Sequence, residues 1–171
     1  MKYLIMGHSG SGKSSLARKI SDIYSLPLMY LDCVHFSHDW KSRNDEEAIS
    51  ILEDFMKKND SWVIDGNYFR FILDKRVKEA DKIVILLFNR FTCLKRAYQR
   101  YFKYKNKVRE SIAPGCYEAM DFEFIKWILF DGRTKKRMNT FKKIIEENKD
   151  KVIIIKNQKE LDKYIKEELK V

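Results

Sequence analysis

No apolar run in the 171 residues approaches the roughly 20 needed to span a bilayer. The N-terminus does not read as a signal peptide either. "YLIM" at 3–6 is too short for a hydrophobic core region and leads into glycines, not a cleavage site. Cysteines are few, Cys33, Cys93 and Cys116, and none forms a C-x-x-C pair. That argues against a disulfide framework or a cysteine zinc site and suits a reducing cytoplasm, the location expected for this chain. Repeats, low-complexity tracts and linkers are missing as well, so residues 1–171 are expected to form a single domain. With 44% hydrophobic and 13% aromatic residues, the chain has the material for a sizeable core.

Acidic residues are missing from two stretches. Residues 1–81 carry 12 Lys+Arg against 13 Asp+Glu, a balance of −1, whereas 82–171 carry 23 against 12, a balance of +11. Arg90 to Arg109 holds eight basic residues and no acid, and Arg133 to Lys143 holds six and no acid. Such a bias calls for a polyanionic partner, either nucleotide phosphates or nucleic acid.

Short apolar runs alternate with longer amphipathic ones. The runs at 3–6, 28–32, 62–65, 82–88 and 151–155 read as strands. Their unbroken apolar character suits strands covered on both faces, as in a parallel sheet. Helical periodicity covers 13–25, 45–58, 69–80, 91–104, 122–148 (with Gly132 marking a break) and 160–169. Strand–helix alternation of this kind predicts a three-layer α/β fold with right-handed crossovers. The stretch 105–121, with "APGC" at 113–116, has no clear period and reads as an excursion from the sheet.

One stretch carries a specific signal. "GHSGSGKS", residues 7–14, fits G-x-x-x-x-G-K-[ST] at every fixed position, between the end of a predicted strand and the start of a predicted helix. Glycines there let successive N–H groups turn inward around an anion, and the helix N-terminus adds its partial positive charge. Gly7, Ser9, Gly10, Ser11, Gly12, Lys13, Ser14 and Ser15 are therefore expected to hold a nucleoside triphosphate, ATP or GTP. Lys13 reaches the β- and γ-phosphates in this geometry, and the Ser14 hydroxyl ligates Mg²⁺.

Residues at the other strand ends should face that loop across the crevice. Asp32, ending the second strand, is placed to orient or deprotonate an attacking hydroxyl. Asp65, ending the third, is placed to hold Mg²⁺, and Gly66 permits close approach of the backbone to a ligand. The pairs Arg96/Arg100 and Arg133/Arg137 are each four residues apart and flank the excursion. Arginine suits charge spread over several phosphate oxygens, so these groups are expected to clamp the nucleotide beneath a lid at about 101–132. His35, Trp40 and Arg70, with Asp32 and Gly66, are expected to form an acceptor pocket, largely on an excursion at about 33–60.

"GHSGSGKSSLARKI", "LDCVHFSHDW", "WVIDGNY" and "APGCYEAMDFEFIKWI" together resemble the DNA topology modulation (FlaR-like) proteins, in the adenylate-kinase-like branch of P-loop NTPases. The resemblance runs from Lys2 to about Ile165. It implies a five-stranded parallel sheet of order 2-3-1-4-5 with a helical lid. It also implies that Arg96 and Arg100 are the Arg-x-x-x-Arg that opens the lid, and that Asp65-Gly66 is the branch's Asp-Gly. Where nucleoside monophosphate kinases follow Asp-Gly with an aromatic, a proline and an arginine, this chain reads "DGNYFR", with Arg70 displaced by one place. Asp32 instead resembles the acidic residue of shikimate-, gluconate- and nucleoside-kinase-like enzymes. The expectation is a kinase that transfers the ATP γ-phosphate to a small-molecule hydroxyl, with a nucleoside or nucleotide among the candidate acceptors. Its alternatives are a nucleoside monophosphate kinase and a nucleotide-gated regulator that binds nucleic acid. The second alternative rests on "RAYQRYFKYK", where aromatic and basic residues interleave.

Overall fold

The first strand sets the architecture. β1 (Lys2–Gly7) is buried almost throughout, and its successive side chains enter opposite layers. Tyr3 and Ile5 join one apolar cluster, Leu4 and Met6 the other. In this computed structural model, which describes residues 1–105 and 107–169, β1 lies at the centre of a five-stranded parallel sheet. Residue 106, inside the expected lid, and residues 170 and 171, inside the expected domain, lie outside the described residues. The other strands are β2 (Leu28–Tyr30), β3 (Trp62–Asp65), β4 (Lys82–Leu86) and β5 (Val152–Ile155), in the order 2-3-1-4-5. Leu4 sits in register with Ile64 of β3 on one side and Ile83 of β4 on the other.

Helices cover both faces. α1 (Lys13–Tyr24), α5 (Arg90–Lys103), α6 (Phe122–Leu129) and α8 (Gln158–Glu168) pack on the Tyr3/Ile5 face through Leu16, Ile20, Ala97, Ile128 and Leu161. α2 (Leu31–His35), α3 (Asp45–Lys58) and α7 (Lys135–Glu147) pack on the Leu4/Met6 face through Leu31, Leu52 and Phe141. The remaining helix, α4 (Leu73–Glu79), links β3 to β4. A turn of 3-10 helix, Asp131–Arg133, breaks the long helical pattern where Gly132 predicts a break.

Several boundaries differ from expectation: β4 ends at Leu86, not 88, α8 opens at Gln158, not 160, and two more bear on the site. The second strand ends at Tyr30, not at residue 32, and Leu31 opens the short helix α2, so Asp32 stands in a first helical turn. Leu31 and Val34 are buried against the sheet, a helical spacing hidden inside an apolar run that also fits a strand. The helix expected at 69–80 begins only at Leu73, after Ile72 at φ +41°. The Arg76 side chain donates to the carbonyls of Gly66, Asn67, Tyr68 and Phe71, and so holds that stretch as a turn.

Candidate active site

The loop between β1 and α1 is built on close backbone approach. Gly7 has φ +141°, and a Cβ there would collide with the Leu86 carbonyl of β4. His8 N–H donates to that same carbonyl at 3.1 Å. Asn67 closes the other side: its Oδ1 accepts from Gly7 N at 3.0 Å and its Nδ2 donates to Gly7 O at 2.8 Å. The side-chain amide thus imitates a strand neighbour and fixes where the loop leaves the sheet. Lys13 Nζ lies 3.5 Å from the His8 carbonyl, inside the curl of the loop. His8 itself is buried, edge-on to Phe141, and its pKa falls to about 3. Burial is the main cause, followed by the charges of Arg133, Lys13 and Arg90.

Beneath the loop, the Ser14 hydroxyl donates to Asp65 Oδ2 at 2.6 Å. Asp65 is buried at the end of β3, and burial raises its pKa to about 6 against the opposing pull of Lys13 and Ser14. Its second oxygen, Oδ1, is buried with no hydrogen-bond partner among the described residues. A buried carboxylate oxygen without a donor, beside a serine hydroxyl, is what a hard divalent cation or its water shell would complete. The residues present therefore fit Mg²⁺.

Gly66, at φ +135°, brings the end of β3 against Leu31, where a Cβ would not fit. That contact packs the end of β3 against the residue preceding Asp32, whose charge adds, after burial, to the upward shift of the Asp65 pKa. Tyr68 Oη donates to Asp32 Oδ1 at 2.8 Å. Beside them, Arg70 Nε donates to Asp45 at 2.8 Å, and its Nη2 lies 3.3 Å from His35 Nδ1. His35, Tyr68 and Phe71 pack ring against ring at 5.0 to 6.0 Å. Trp40 is different. It stands 46% exposed with φ +60°, its ring edge-on to Phe36 and its backbone N–H donating to Cys116 Sγ.

The arginines divide. The Arg96 guanidinium lies over the Phe88 ring at 4.2 Å and donates to Ser11 O at 2.7 Å, so it touches the β1–α1 loop directly. Arg100 donates to Glu118 at 3.1 Å. Arg137 stacks on Trp127 at 4.5 Å, and the Trp127 indole donates to Ser9 Oγ. Arg133 is turned inward, donating to the carbonyls of Ile128 and Phe88 and to Cys93 Sγ. Gly10, Gly12, Lys13, Ser14, Ser15, Arg96 and Arg100 line one cavity of about 590 Å³. Ser9 and Arg137 meet instead around Trp127.

Sequence reasoning missed Asn67, Tyr68, Arg76, Arg109 and Glu118. Asn67 and Tyr68 directly follow the Asp-Gly pair, a turn context in which asparagine needs no further reason. Arg109 and Glu118 lie in the aperiodic excursion, where spacing carries no signal.

No protein-family model and no curated protein sequence matches the chain. Among solved structures it is similar to deoxyadenosine kinase from M. mycoides with products dCMP and a flexible dCDP bound, with TM-score 0.51, 12% identity and 100% of both chains covered. It is also similar to shikimate kinase from Bacteroides thetaiotaomicron (TM-score 0.48, 11% identity, 100% of this chain and 99% of that one). A gluconokinase from Sinorhizobium meliloti 1021 gives TM-score 0.40 at 15% identity, over 83% of this chain and 96% of that one. The first of these likenesses shows a shared fold, the three-layer α/β fold with a parallel sheet of order 2-3-1-4-5.

Proposed function

We propose that the protein is a kinase that transfers the γ-phosphate of ATP to the hydroxyl of a small molecule, a nucleoside or nucleotide being one candidate class. The observation that carries this reading is Asp32, a carboxylate in the first turn of α2 that accepts from Tyr68 at 2.8 Å, next to Leu31, on which Gly66 at the end of β3 packs. Nucleotide binding alone needs Ser14 and Asp65. A further carboxylate on the acceptor side suits a hydroxyl that must lose a proton as it attacks.

In this reading the loop amides and Lys13 hold the phosphates. Ser14 and Asp65 would hold Mg²⁺, which when bound neutralises charge on the transferring group. Asp32 accepts the acceptor's proton, and Tyr68 keeps its carboxylate aimed. Arg96 clamps the nucleotide from α5, while His35 and Arg70 wall the acceptor side. The segment at about 101–132 would act as a lid that excludes water from the transfer.

Phosphotransfer by purified protein, followed as ADP release across a panel of nucleosides, nucleotides, polyols and hydroxy acids, tests the proposal. Lys13→Ala should lose roughly 10²-fold or more in turnover with its melting temperature kept, as expected for removing one preorganised charge. Asp32→Asn should abolish the chemical step for a hydroxyl acceptor. A variant that keeps most of its turnover would instead mark a phosphate acceptor, which is already nucleophilic.

One observation favours a second reading, nucleotide-gated binding of nucleic acid. Phe91 and Phe102 are 72% and 69% exposed on α5, in one stripe with exposed Tyr98 and Lys95. Aromatic faces set among cations suit single strands. Tight binding of single-stranded DNA at physiological salt that responds to ATP would support it; binding that vanishes at that salt is nonspecific attraction.

A further inference from the structure

The excursion carries an ion cluster that the functional reading above does not use. Glu118 has a side chain only 4% exposed and pairs with two guanidiniums, Arg100 of α5 and Arg109 of the excursion. Arg109 is 14% exposed and also donates to Ser111 Oγ at 2.8 Å. Two partly shielded guanidiniums, Arg100 26% and Arg109 14% exposed, share one buried carboxylate and leave an excess positive charge of one, which a further anion would complete. Both guanidiniums line the same cavity of about 590 Å³ as Lys13 and Ser14. Burial and the neighbouring Arg109 charge both lower the Arg100 pKa, with Glu118 opposing them.

The segment bearing Arg109 and Glu118 is also tied to the acceptor side. Cys33 Sγ contacts the Glu110 carbonyl, Asp39 N–H donates to Pro114 O, and Trp40 N–H meets Cys116 Sγ. Ile112, Ala113 and Cys116 form a small apolar cluster against Phe36. The excursion therefore stands with its basic cluster toward the phosphate loop and its apolar knot on the α2–α3 connection.

From this juxtaposition we infer that Arg109 is a catalytic residue that binds the terminal phosphate of the nucleotide together with Arg100, and that Glu118 is the positioning residue holding the two guanidiniums as a pair. The inference rests on the kinase reading above and adds to it a residue from outside the phosphate loop and the four-spaced arginine pairs. Glu118 sets the spacing of the pair, and the terminal phosphate supplies the missing negative charge. A diphosphate, lacking that group, does not engage the pair.

The test compares a triphosphate with a diphosphate by calorimetry on the full chain, using the magnesium complexes of a non-hydrolysable ATP analogue and of ADP. Arg109→Ala should weaken the triphosphate analogue about tenfold or more and leave ADP within about twofold. Arg109→Lys keeps the charge but loses the planar fork and should recover only part of the loss. It also serves if the alanine variant fails to fold. Glu118→Gln should shrink the triphosphate-over-diphosphate preference and lower turnover, with the ADP affinity kept. Equal losses for both nucleotides, or none, in the arginine variants overturn the role of Arg109. An unchanged preference in Glu118→Gln overturns the positioning role. Wild-type protein that binds neither nucleotide removes the kinase reading and this inference together. Wild-type protein that binds both and transfers phosphate, with no contrast in the variants, removes the inference alone.

Discussion

Asn67 and Tyr68 show how much depends on single side chains that follow the buried carboxylate Asp65. Asn67 makes both of its bonds to one residue, Gly7, at the point where β1 opens into the phosphate loop. Asn67→Ala leaves a part-buried N–H and C=O without partners, a cost of about 1–3 kcal/mol. The loop then loses its fixed departure from the sheet, so the KM for MgATP should rise several-fold, with a smaller change in kcat. Steady-state kinetics beside a melting curve checks this, and an unchanged KM would show that Gly7 and Leu86 suffice. Tyr68→Phe deletes only the hydrogen bond to Asp32 and should lower kcat by about tenfold while leaving nucleotide KM alone. At this scale the sequence is uneven. Ser14 and Asp65, expected at one site, do meet in a hydrogen bond, because a fixed loop motif and a strand end each mark a position in the sequence. Asn67 is not marked in this way, because its partner is a backbone 60 residues away that no local pattern announces. Arg133 has the spacing of a clamp, yet its guanidinium is engaged by the Phe88 and Ile128 carbonyls. Spacing gives a helical face, not the acceptors that face meets.

Among the elements, the strands were the most readable, because a strand covered on both faces needs apolar residues at every position. Helix starts were less so, and α4 shows why. Its sequence keeps helical periodicity from residue 69, but the buried Arg76 holds residues 66–71 in a turn. Burial lowers the Arg76 pKa to about 10, still far above neutrality, so it remains a cation whose bonds replace lost hydration. Arg76→Met keeps much of the volume and strands four carbonyls. The expected loss is roughly 3 kcal/mol or more, or about 10 °C in melting temperature for a chain of this size. Arg76→Lys should recover little, since one ammonium does not span four carbonyls. Asp65, Asn67 and Tyr68 lie in or beside that turn, so both variants should also lose MgATP affinity. Thermal melting with nucleotide titration tests the two effects together. A variant with lowered stability and unchanged affinity would make Arg76 purely a scaffold residue.

Over the whole molecule, two buried groups at the phosphate site set opposing pH dependences. Burial raises the Asp65 pKa to about 6, so between roughly pH 4 and 6 the folded chain holds a proton that the unfolded chain has released. Stability from this group is present at low pH and lost as pH rises through 6. His8 runs the other way. With its pKa lowered to about 3, it is neutral when folded, whereas the unfolded imidazole protonates below about 6.5. Its contribution is present above pH 6.5 and lost as pH falls. Across pH 4–6 the two slopes, each about 1.4 kcal/mol per pH unit, oppose one another. Replacing either group should expose the other. Asp65→Asn should make denaturant stability fall more steeply as pH drops from 6 to 4, and at pH 7 should stabilise the nucleotide-free protein by up to about 3 kcal/mol. His8→Gln should do the reverse, with stability rising as pH drops over the same interval. In the proposed role Asp65 meets Mg²⁺ in its ionised form, so binding of magnesium nucleotide near pH 5 should release about one proton, an effect absent in Asp65→Asn. Calorimetry in two buffers of different ionisation enthalpy counts that proton. A wild-type count of zero at pH 5 would mean that Asp65 does not meet the metal, even if the denaturation slopes behave as described.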